Sequence, residues 1–290
     1  MRKKTDMSNL VQRTVFGAVY VCAVVASILW HPLCFGILFA GTCMISVREF
    51  NLLMRTSKAG TVISMLAAGV LFLICWMPIG LADRNFGHIM AISVAVYLLL
   101  FATAILAELW TKAENPVLNW GNFLQSQMMI ALPFALMNLL YDFSPYVLLA
   151  VFVLIWVNDS GAYCVGSLTA KLPKGNHKMF PRVSPKKSWE GLFGGVLFTL
   201  ATAALLAYFG WFEAIRLSIS QYTIGLCFGL VVSVFGTLGD LVESLFKRTV
   251  GVKDSGVFLP GHGGALDRFD SILLAVPATI ILLIVLDLFR

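Results

Sequence analysis

The stretch ILLAVPATIILLIVL, residues 272–286, decides the fold class, because it has no charged side chain over a length that approaches a membrane span. A second uncharged stretch, VLLAVFVLIWV, occupies residues 147–157. Neither stretch shows the apolar–polar alternation of a barrel strand. Because a bilayer offers backbone groups no water, only helices and closed barrels cross it. Both stretches are therefore predicted to be membrane-spanning α-helices.

The whole chain has the composition of a protein whose main solvent is lipid. Of its 290 residues, 59% are hydrophobic and 12% are charged, whereas a soluble domain carries about 25% charged residues. Apolar stretches of about 20 residues predict about nine spanning helices. Their limits are roughly 14–31, 33–50, 61–80, 88–110, 123–141, 145–167, 190–210, 222–246 and 269–289. The predicted class is an all-α, polytopic integral membrane protein.

Lysine and arginine residues divide unequally between the two sides of the predicted membrane. If the spans alternate in direction, 18 of the 21 lie on the N-terminal side and three on the other. Because these residues concentrate in cytoplasmic loops, the pattern predicts an N-terminus inside and a C-terminus outside. The net charge of +6 then reflects topology and attraction to anionic headgroups. Nucleic acid is not expected as a partner.

The chain is predicted to form a single membrane domain over residues 1–290, with an N-terminal helical half at 1–145. The half at 146–290 holds the two longest polar connections, 168–189 and 247–268, on the predicted cytoplasmic side. These connections contain ten of the 18 basic residues on that side. Catalysis is therefore expected in the second half.

Carboxylates have different expected roles in the two halves. Glu49, Glu108 and Asp142 lie near predicted span ends, where a solvated position at the membrane surface is expected. Several acidic residues of the second half lie beside the long loops, at the ends of or within apolar stretches: Asp159, Glu190, Asp240, Glu243, Asp254, Asp267 and Asp270. A carboxylate within a span usually faces a cavity, a partner or a metal, because burial in lipid is unfavourable.

Four polar residues share one face of the eighth predicted span near its cytoplasmic end. Asp240, Glu243, Ser244 and Lys247 follow the spacing i, i+3, i+4, i+7 of a helix face. A structural salt bridge from Lys247 to Asp240 or Glu243 explains this face as well as a catalytic site does, so both interpretations stay open.

Residues 253–270, KDSGVFLPGHGGALDRFD, form a glycine-rich loop before the last span. Consecutive amides in such a loop can bind an anion. Lys247, Arg248, Lys253 and Arg268 surround the loop with positive charge, and Asp267 and Asp270 follow at i and i+3. Cations and amides for phosphate, with carboxylates for Mg²⁺, are the components of phosphoryl or nucleotidyl transfer. His262 is interpreted as a phosphate hydrogen-bond donor or a structural residue.

The connection at 168–189 ends in a second candidate anion site. Ser188 is predicted to cap the helix that opens the seventh span, and the capped N-terminus follows Lys186 and Lys187. Upstream, Asp159, Tyr163 and Gly166 share one face of the sixth span, where a buried polar pair is the alternative to a functional role. The basic stretch 168–182 has no assigned role.

The pattern from Ser244 to Asp270 resembles the signature of the phosphatidate cytidylyltransferases, also called CDP-diacylglycerol synthases. The matching positions are SLFKR at 244–248, KD at 253–254, Gly256, LP at 259–260, HGG at 262–264 and DRFD at 267–270. SPKKSWEG at 184–191 and the Asp159 segment also resemble family elements, so the resemblance covers about 158–271. Two positions depart from the family pattern. Ala265 stands where a larger aliphatic residue is usual, and Ser188 stands where threonine is usual.

The resemblance implies transfer of cytidylyl from CTP to phosphatidate, giving CDP-diacylglycerol and pyrophosphate in phospholipid biosynthesis. It implies Mg²⁺, in a number that stays open, with Asp240 and Asp267 as metal ligands and Asp159 and Asp270 as further candidates. Asp240, Asp267 and Lys247 are the expected catalytic residues. The expected substrate contacts are Ser184, Lys186, Lys187, Ser244, Arg248, Lys253, His262, Gly263, Gly264 and Arg268.

The resemblance also implies a homodimer in a bacterial inner membrane, with the active site facing the cytoplasm. Another intramembrane nucleotide–lipid enzyme, such as a prenyl-phosphate sugar transferase or a CDP-alcohol phosphotransferase, is the nearest alternative, because both also use carboxylates and Mg²⁺. The second shows an Asp-Gly-x-x-Ala-Arg run that is not found in this sequence. A transporter is the alternative of another class, but its polar residues are expected near the bilayer midplane.

Overall fold

The protein is built almost entirely of helices. The structure, a computed structural model, describes residues 2–80, 86–110, 115–173, 175–217, 219–256 and 263–288, with side chains except those of 2–13 and 86. The described helices are α1 Arg2–Trp30, α2 Pro32–Leu53, α3 Lys58–Gly80, α4 Phe86–Leu106, α5 Pro116–Ser126, α6 Leu132–Phe143, α7 Pro145–Thr169, α8 Trp189–Tyr208, α9 Gln221–Thr249, α10 Leu266–Phe269 and α11 Ile272–Leu288. The strands are β1 Lys178–Phe180 and β2 Ser184–Ser188.

The helices confirm the predicted polytopic membrane class. Within the described ranges, eight helical segments are long and apolar enough to cross a bilayer, and each coincides with one of the last eight predicted spans. A short π-helical turn joins α5 and α6, so these two helices form one of the eight segments. The first predicted span corresponds to a shorter apolar segment, Thr14–Trp30, within α1. The inside–outside orientation stays a prediction.

Three of the helices begin at the same local signal, a capping side chain followed by proline. His31 Nδ1 accepts a hydrogen bond from the Leu33 amide at 3.1 Å, and Asn115 caps α5 in the same way. Ser144 Oγ accepts from the Tyr146 amide at 3.2 Å at the start of α7. Each cap satisfies an amide that has no partner inside the helix, and the proline has no amide hydrogen to satisfy.

Apolar side chains point outward along α4, which is consistent with contact with lipid. Ile92, Leu98 and Leu99 are 63%, 58% and 66% exposed. In water such a surface would be unfavourable by about 25 cal/mol for each Å². In the hydrocarbon core of a bilayer this cost disappears, so the helix needs no further protein cover.

The fold divides into two compact units, each made of two separate stretches of the chain. Unit 1 comprises Met1–Asn138 and Val250–Phe269, and unit 2 comprises Leu139–Thr249 and Asp270–Arg290. The glycine-rich loop belongs to unit 1 and the 168–189 connection to unit 2. The prediction of a single domain, with its halves divided at residue 145, stays a prediction.

Aromatic side chains hold the core of unit 1 around Phe269, which ends α10. The Phe269 ring lies 5.6 Å from Tyr20, 5.9 Å from Phe39 and 5.5 Å from Phe134, centroid to centroid. Phe39 and Phe134 are fully buried. Such edge-on and tilted contacts add about 0.5–1.5 kcal/mol each to area burial. The C-terminal end of the glycine-rich loop is therefore anchored in the core of unit 1.

Glycines let α7 and α8 of unit 2 pack closely. A Cβ at Gly195 would lie 2.6 Å from Asn158 Oδ1, and a Cβ at Gly161 would lie 3.0 Å from Phe198 Cβ. Asn158 is 2% exposed, donates to Thr237 Oγ1 at 3.2 Å and accepts from Ser233 Oγ at 2.6 Å. This polar network joins α7 to α9 in the interior of unit 2.

The connection between α7 and α8 forms a β-hairpin, which the sequence did not predict. Strands β1 and β2 are antiparallel, with Lys178 opposite Ser188 and Phe180 opposite Ser184. Both strands carry lysines. The hairpin ends where α8 begins, so its lysines lie beside the N-terminus of that helix.

Candidate active site

A cleft in unit 2 brings together several of the predicted site residues. It has a volume of about 460 Å³ and is lined by α7, the β-hairpin, the first turn of α8 and one turn of α9. Asp159, Tyr163 and Gly166 line it from α7, as their shared helix face predicted. Thr237 and Asp240 line it from α9. A cleft of this size is in the range of small-ligand sites.

Three lysines give the cleft its positive charge. Lys178 and Lys186 are exposed and Lys187 is half-buried, and all three line the cleft. Lys187 Nζ lies 2.7 Å from Asp240 Oδ2 and donates to the Thr237 carbonyl at 3.2 Å. Lys187 is thus tied to α9, whereas Lys178 and Lys186 bring positive charge to the cleft from the hairpin.

The N-terminus of α8 meets the same cleft, and Ser188 caps it as predicted. Ser188 Oγ accepts the Gly191 amide at 3.2 Å and also lies 3.3 Å from Asn176 Nδ2. Asn176 Nδ2 donates to the Gly166 carbonyl at 2.6 Å, which ties the hairpin to α7. The Glu190 carboxylate accepts the His177 amide at 3.0 Å. The positive end of the α8 dipole is therefore held at the cleft, where it favours an anion.

Three carboxylates of unit 2 form the one group of potential metal ligands found among the described residues. Oxygens of Asp240, Glu243 and Asp270 all lie within 4.8 Å of one another. Oxygens on opposite sides of an octahedral Mg²⁺ are about 4.2 Å apart, since each bond is about 2.1 Å. The hard oxygen donors therefore suit a divalent cation, although the 4.8 Å limit on their separations is wider than the roughly 4.2 Å that one octahedral Mg²⁺ spans.

Lysines balance two of these carboxylates, since Lys187 pairs with Asp240 and Lys247 with Glu243. Lys247 Nζ lies 2.5 Å from Glu243 Oε2, so the salt bridge considered for this helix face is present. Glu243 is fully buried and Lys247 is 8% exposed. Ser244 Oγ donates to Asp240 Oδ1 at 3.2 Å. The other interpretation of this helix face, a catalytic site, stays a prediction.

The glycine-rich loop of unit 1 is held by Asp267. The Asp267 carboxylate accepts the Gly264 amide at 2.7 Å and the Ser255 amide at 2.9 Å. Gly263 has φ +79°, a left-handed conformation that favours glycine. In this structure Asp267 thus organises the loop, and its predicted metal-binding role stays a prediction.

Comparison with known proteins identifies the family. A model of the cytidylyltransferase family matches residues 11–286. This chain belongs to the cytidylyltransferase family. It is 46% identical over 139 residues to proteins named phosphatidate cytidylyltransferase in Staphylococcus epidermidis and Staphylococcus aureus, a match that covers 48% of this chain and 49% of each relative. A relative of the same name in Staphylococcus haemolyticus is 45% identical over the same length. The chain thus spans about half the length of the curated relatives it matches.

The remaining predicted substrate contacts of this cytidylyltransferase-family chain are distributed over both units. In unit 2, Ser184 is half-buried on β2, and Arg248 Nε donates to the Val183 carbonyl at 3.3 Å. In unit 1, Lys253 and Arg268 are exposed. His262 lies outside the described residues. The substrate roles of these residues stay predictions.

Two residues that line the cleft were not predicted from the sequence, and the expected exposure of Glu49 was wrong. Asn176 and Lys178 lie in a stretch that received no role, because its hairpin had no recognisable signal. Glu49 was expected to be solvated, yet it is 5% exposed. Its position near a span end suggested solvent, but loop residues far along the chain cover it.

Proposed function

We propose that this protein transfers the cytidylyl group of CTP to phosphatidate, releasing pyrophosphate and forming CDP-diacylglycerol. The observation that carries the proposal is the cleft of unit 2, where Lys178, Lys186, the capped start of α8 and Asp240 meet. Cations and a helix N-terminus suit a triphosphate, and a carboxylate suits the cation that accompanies it. The matched relatives carry the name of this activity.

The reaction needs two polyanions to approach each other. A phosphate oxygen of phosphatidate attacks the α-phosphorus of CTP, and the bond from that phosphorus to the pyrophosphate oxygen breaks. The attacking phosphate is already ionised at pH 7, because its second pKa is about 6, so no strong general base is required. Lys178 and Lys186 reduce the repulsion by binding phosphate oxygens, and the α8 amides stabilise charge on the leaving group.

We propose that the carboxylates of unit 2 hold Mg²⁺. Asp240, Glu243 and Asp270 suit a divalent cation by donor type, and their oxygens lie within 4.8 Å of one another. A divalent cation there supplies charge neutralisation for the triphosphate. Asp267, by resemblance, remains a proposed ligand. Asp240, Asp267 and Lys247 remain the proposed catalytic groups.

The site is proposed to face the cytoplasm from a bacterial inner membrane. The bias of lysine and arginine supports this side, since it puts the connections at 168–189 and 247–268 inside. CTP then reaches the cleft from the cytosol, and phosphatidate enters from the bilayer.

The homodimer remains a proposal from the resemblance alone. Gly225 and Gly229 of α9 form a Gly-x-x-x-Gly pattern, which can serve helix packing within a chain or between two chains. A Cβ at either position would lie 2.9 Å from an atom of Ala203. In this structure the two glycines therefore pack on α8 of the same chain.

Two differently labelled samples of CTP test the activity. Purified protein in detergent micelles receives phosphatidate, Mg²⁺ and CTP labelled at either the α- or the γ-phosphorus. The proposal predicts labelled lipid from the α-label alone. Label from the γ-position would indicate a kinase, and lipid labelling only when CDP-lipid or UDP-sugar replaces CTP would indicate one of the alternative enzymes. Solute flux in proteoliposomes without CTP turnover would indicate a transporter.

A further inference from the structure

A buried carboxylate on α2 supports the glycine-rich loop of unit 1. Glu49 lies near the C-terminal end of α2 and is 5% exposed. Burying a carboxylate is unfavourable unless hydrogen-bond donors surround it. The donors come from the loop, more than 200 positions along the chain. The proposed reaction gives Glu49 no role.

Three hydrogen bonds fasten the loop to Glu49. Oε1 accepts the Ala265 amide at 3.0 Å. Oε2 accepts the Leu266 amide at 2.9 Å and the Ser255 hydroxyl at 3.0 Å. Each carboxylate oxygen has lone pairs that accept hydrogen bonds, so the two oxygens suit three donors. These contacts fix both sides of the loop, at Ser255 and at the start of α10.

Ser255 links Glu49 to Asp267. Its hydroxyl donates to Glu49, while its amide donates to Asp267 at 2.9 Å. Ser255 is 6% exposed, so water does not readily replace these bonds. A displacement at Glu49 is therefore transmitted through one residue to the Asp267 carboxylate.

The loop glycines fit around the Glu49 side chain. A Cβ at Gly256 would lie 2.6 Å from Glu49 Oε1, and its three nearest atoms would all belong to Glu49. A Cβ at Gly264 would overlap both Glu49 and the Ser255 hydroxyl. The presence of glycine at these two positions is thus explained by the carboxylate between them.

We propose that Glu49 is a positioning residue for the reaction: it holds the loop amides and, through Ser255, the orientation of Asp267. The inference rests on the proposed function, which gives Asp267 its catalytic role. Glu49 itself touches neither substrate nor metal in this proposal. Its effect is on the geometry of groups that do, and small displacements of such groups lower turnover strongly.

Glu49→Gln tests the proposal with little change of shape. A glutamine side chain keeps one acceptor oxygen and turns an NH₂ group towards loop donors, so at least one hydrogen bond is lost. Because a misplacement of about 1 Å can lower turnover about a hundredfold, we expect kcat to fall about tenfold to hundredfold. KM for CTP should change less than about threefold, because the loss is one of alignment. The matched control is Glu213→Gln, an exposed glutamate of unit 2.

Hydrogen exchange supplies a readout that is independent of activity. In Glu49→Gln, peptides containing Ser255, Ala265 and Leu266 should exchange at least about tenfold faster, while peptides of α8 and α9 keep their rates. Unchanged exchange in the loop, or an equal increase throughout the protein, would overturn the proposal. If the wild-type protein shows no cytidylyl transfer, the proposed function fails, yet the exchange result still decides whether Glu49 holds the loop.

A double-mutant cycle tests the contact itself. Gly256→Ala should lower kcat, because its methyl group meets Glu49. Glu49→Asp shortens the side chain by one methylene and so makes room for the new methyl group. Combined with Gly256→Ala, it should restore part of the lost kcat. The kcat of the double variant, relative to wild type, should therefore exceed the product of the relative kcat values of the two single variants. Purely multiplicative effects would contradict the contact. Should Glu49→Gln fail to fold, Ser255→Ala, which removes one hydroxyl, must still lower kcat about threefold or more; an unchanged kcat would overturn the proposal.

Discussion

Asp240→Asn separates catalysis from structural ion pairing most clearly. Asp240 makes a salt bridge to Lys187 at 2.7 Å and accepts a hydrogen bond from Ser244 at 3.2 Å. The side chains of the ion pair are 31% and 23% exposed, Asp240 first. A partly exposed pair contributes about 0.5–1 kcal/mol, and asparagine can still accept from Ser244. A purely structural role therefore predicts a fall in Tm of about 1–4 °C and near-normal turnover.

A catalytic role predicts a much larger effect of the same substitution. Asparagine removes the negative charge that Asp240 contributes to the acidic group with Glu243 and Asp270. We expect turnover to fall at least about a thousandfold, which corresponds to about 4 kcal/mol of transition-state stabilisation. The loss of an ion pair worth about 1 kcal/mol cannot produce this fall in a protein that remains folded.

The assay follows labelled CDP-diacylglycerol from α-labelled CTP, with thermal unfolding measured on the same preparations. Asp142→Asn provides the control, since it makes the same chemical change at an exposed carboxylate at the end of α6. Turnover within about threefold of wild type in Asp240→Asn would refute the assignment of Asp240 to the active centre and leave the Lys187 pair as its function.

Three further substitutions test other parts of the site. Ser188→Ala should destabilise the protein by about 1 kcal/mol, seen as a lower Tm, because the Gly191 amide loses its cap. Ser188→Thr keeps the hydroxyl and should keep the wild-type Tm. An unchanged Tm in Ser188→Ala would contradict the capping role. Lys186→Ala should raise KM for CTP about fivefold to twentyfold, because it removes a cation that lines the cleft. Lys58→Ala changes an exposed lysine of unit 1 and should leave this KM unchanged. If Lys186→Ala has the wild-type KM for CTP, Lys186 does not bind CTP. Lys247→Ala should weaken the use of CTP and phosphatidate and should also lower the free energy of unfolding by about 3 kcal/mol, because it removes the ammonium beside fully buried Glu243. If the dependence of the rate on CTP and on phosphatidate is unchanged, Lys247 belongs to the structural ion pair alone and its catalytic role is contradicted.

Local patterns made the helices and several cleft residues predictable. Long apolar stretches have few alternatives in a bilayer, so the spans agree with the helices. Asp159, Tyr163 and Gly166 line one cleft because helical spacing alone puts them on one face. Ser188 caps α8 because its side chain acts within three residues.

Contacts that join distant parts of the sequence could not be predicted in this way. Glu49 meets Ser255 across more than 200 positions, and no local pattern records such a pairing. The hairpin that presents Lys178 is short and polar, so it lacks the apolar alternation that identifies a strand. Glu49 was expected to be exposed to solvent because it lies near a span end. Its burial is decided by tertiary packing, which a single sequence does not show.

Chemical labelling of lysines in the presence of CTP tests most directly whether the cleft of unit 2 receives the nucleotide. The purified protein is acetylated briefly with and without CTP and Mg²⁺, and the modification of each lysine is measured by mass spectrometry. If the cleft binds CTP, the nucleotide should protect Lys178 and Lys186 from acetylation about fivefold or more, while exposed Lys58 reacts equally in both samples. Equal modification of Lys178 and Lys186 with and without saturating CTP would contradict CTP binding in the cleft.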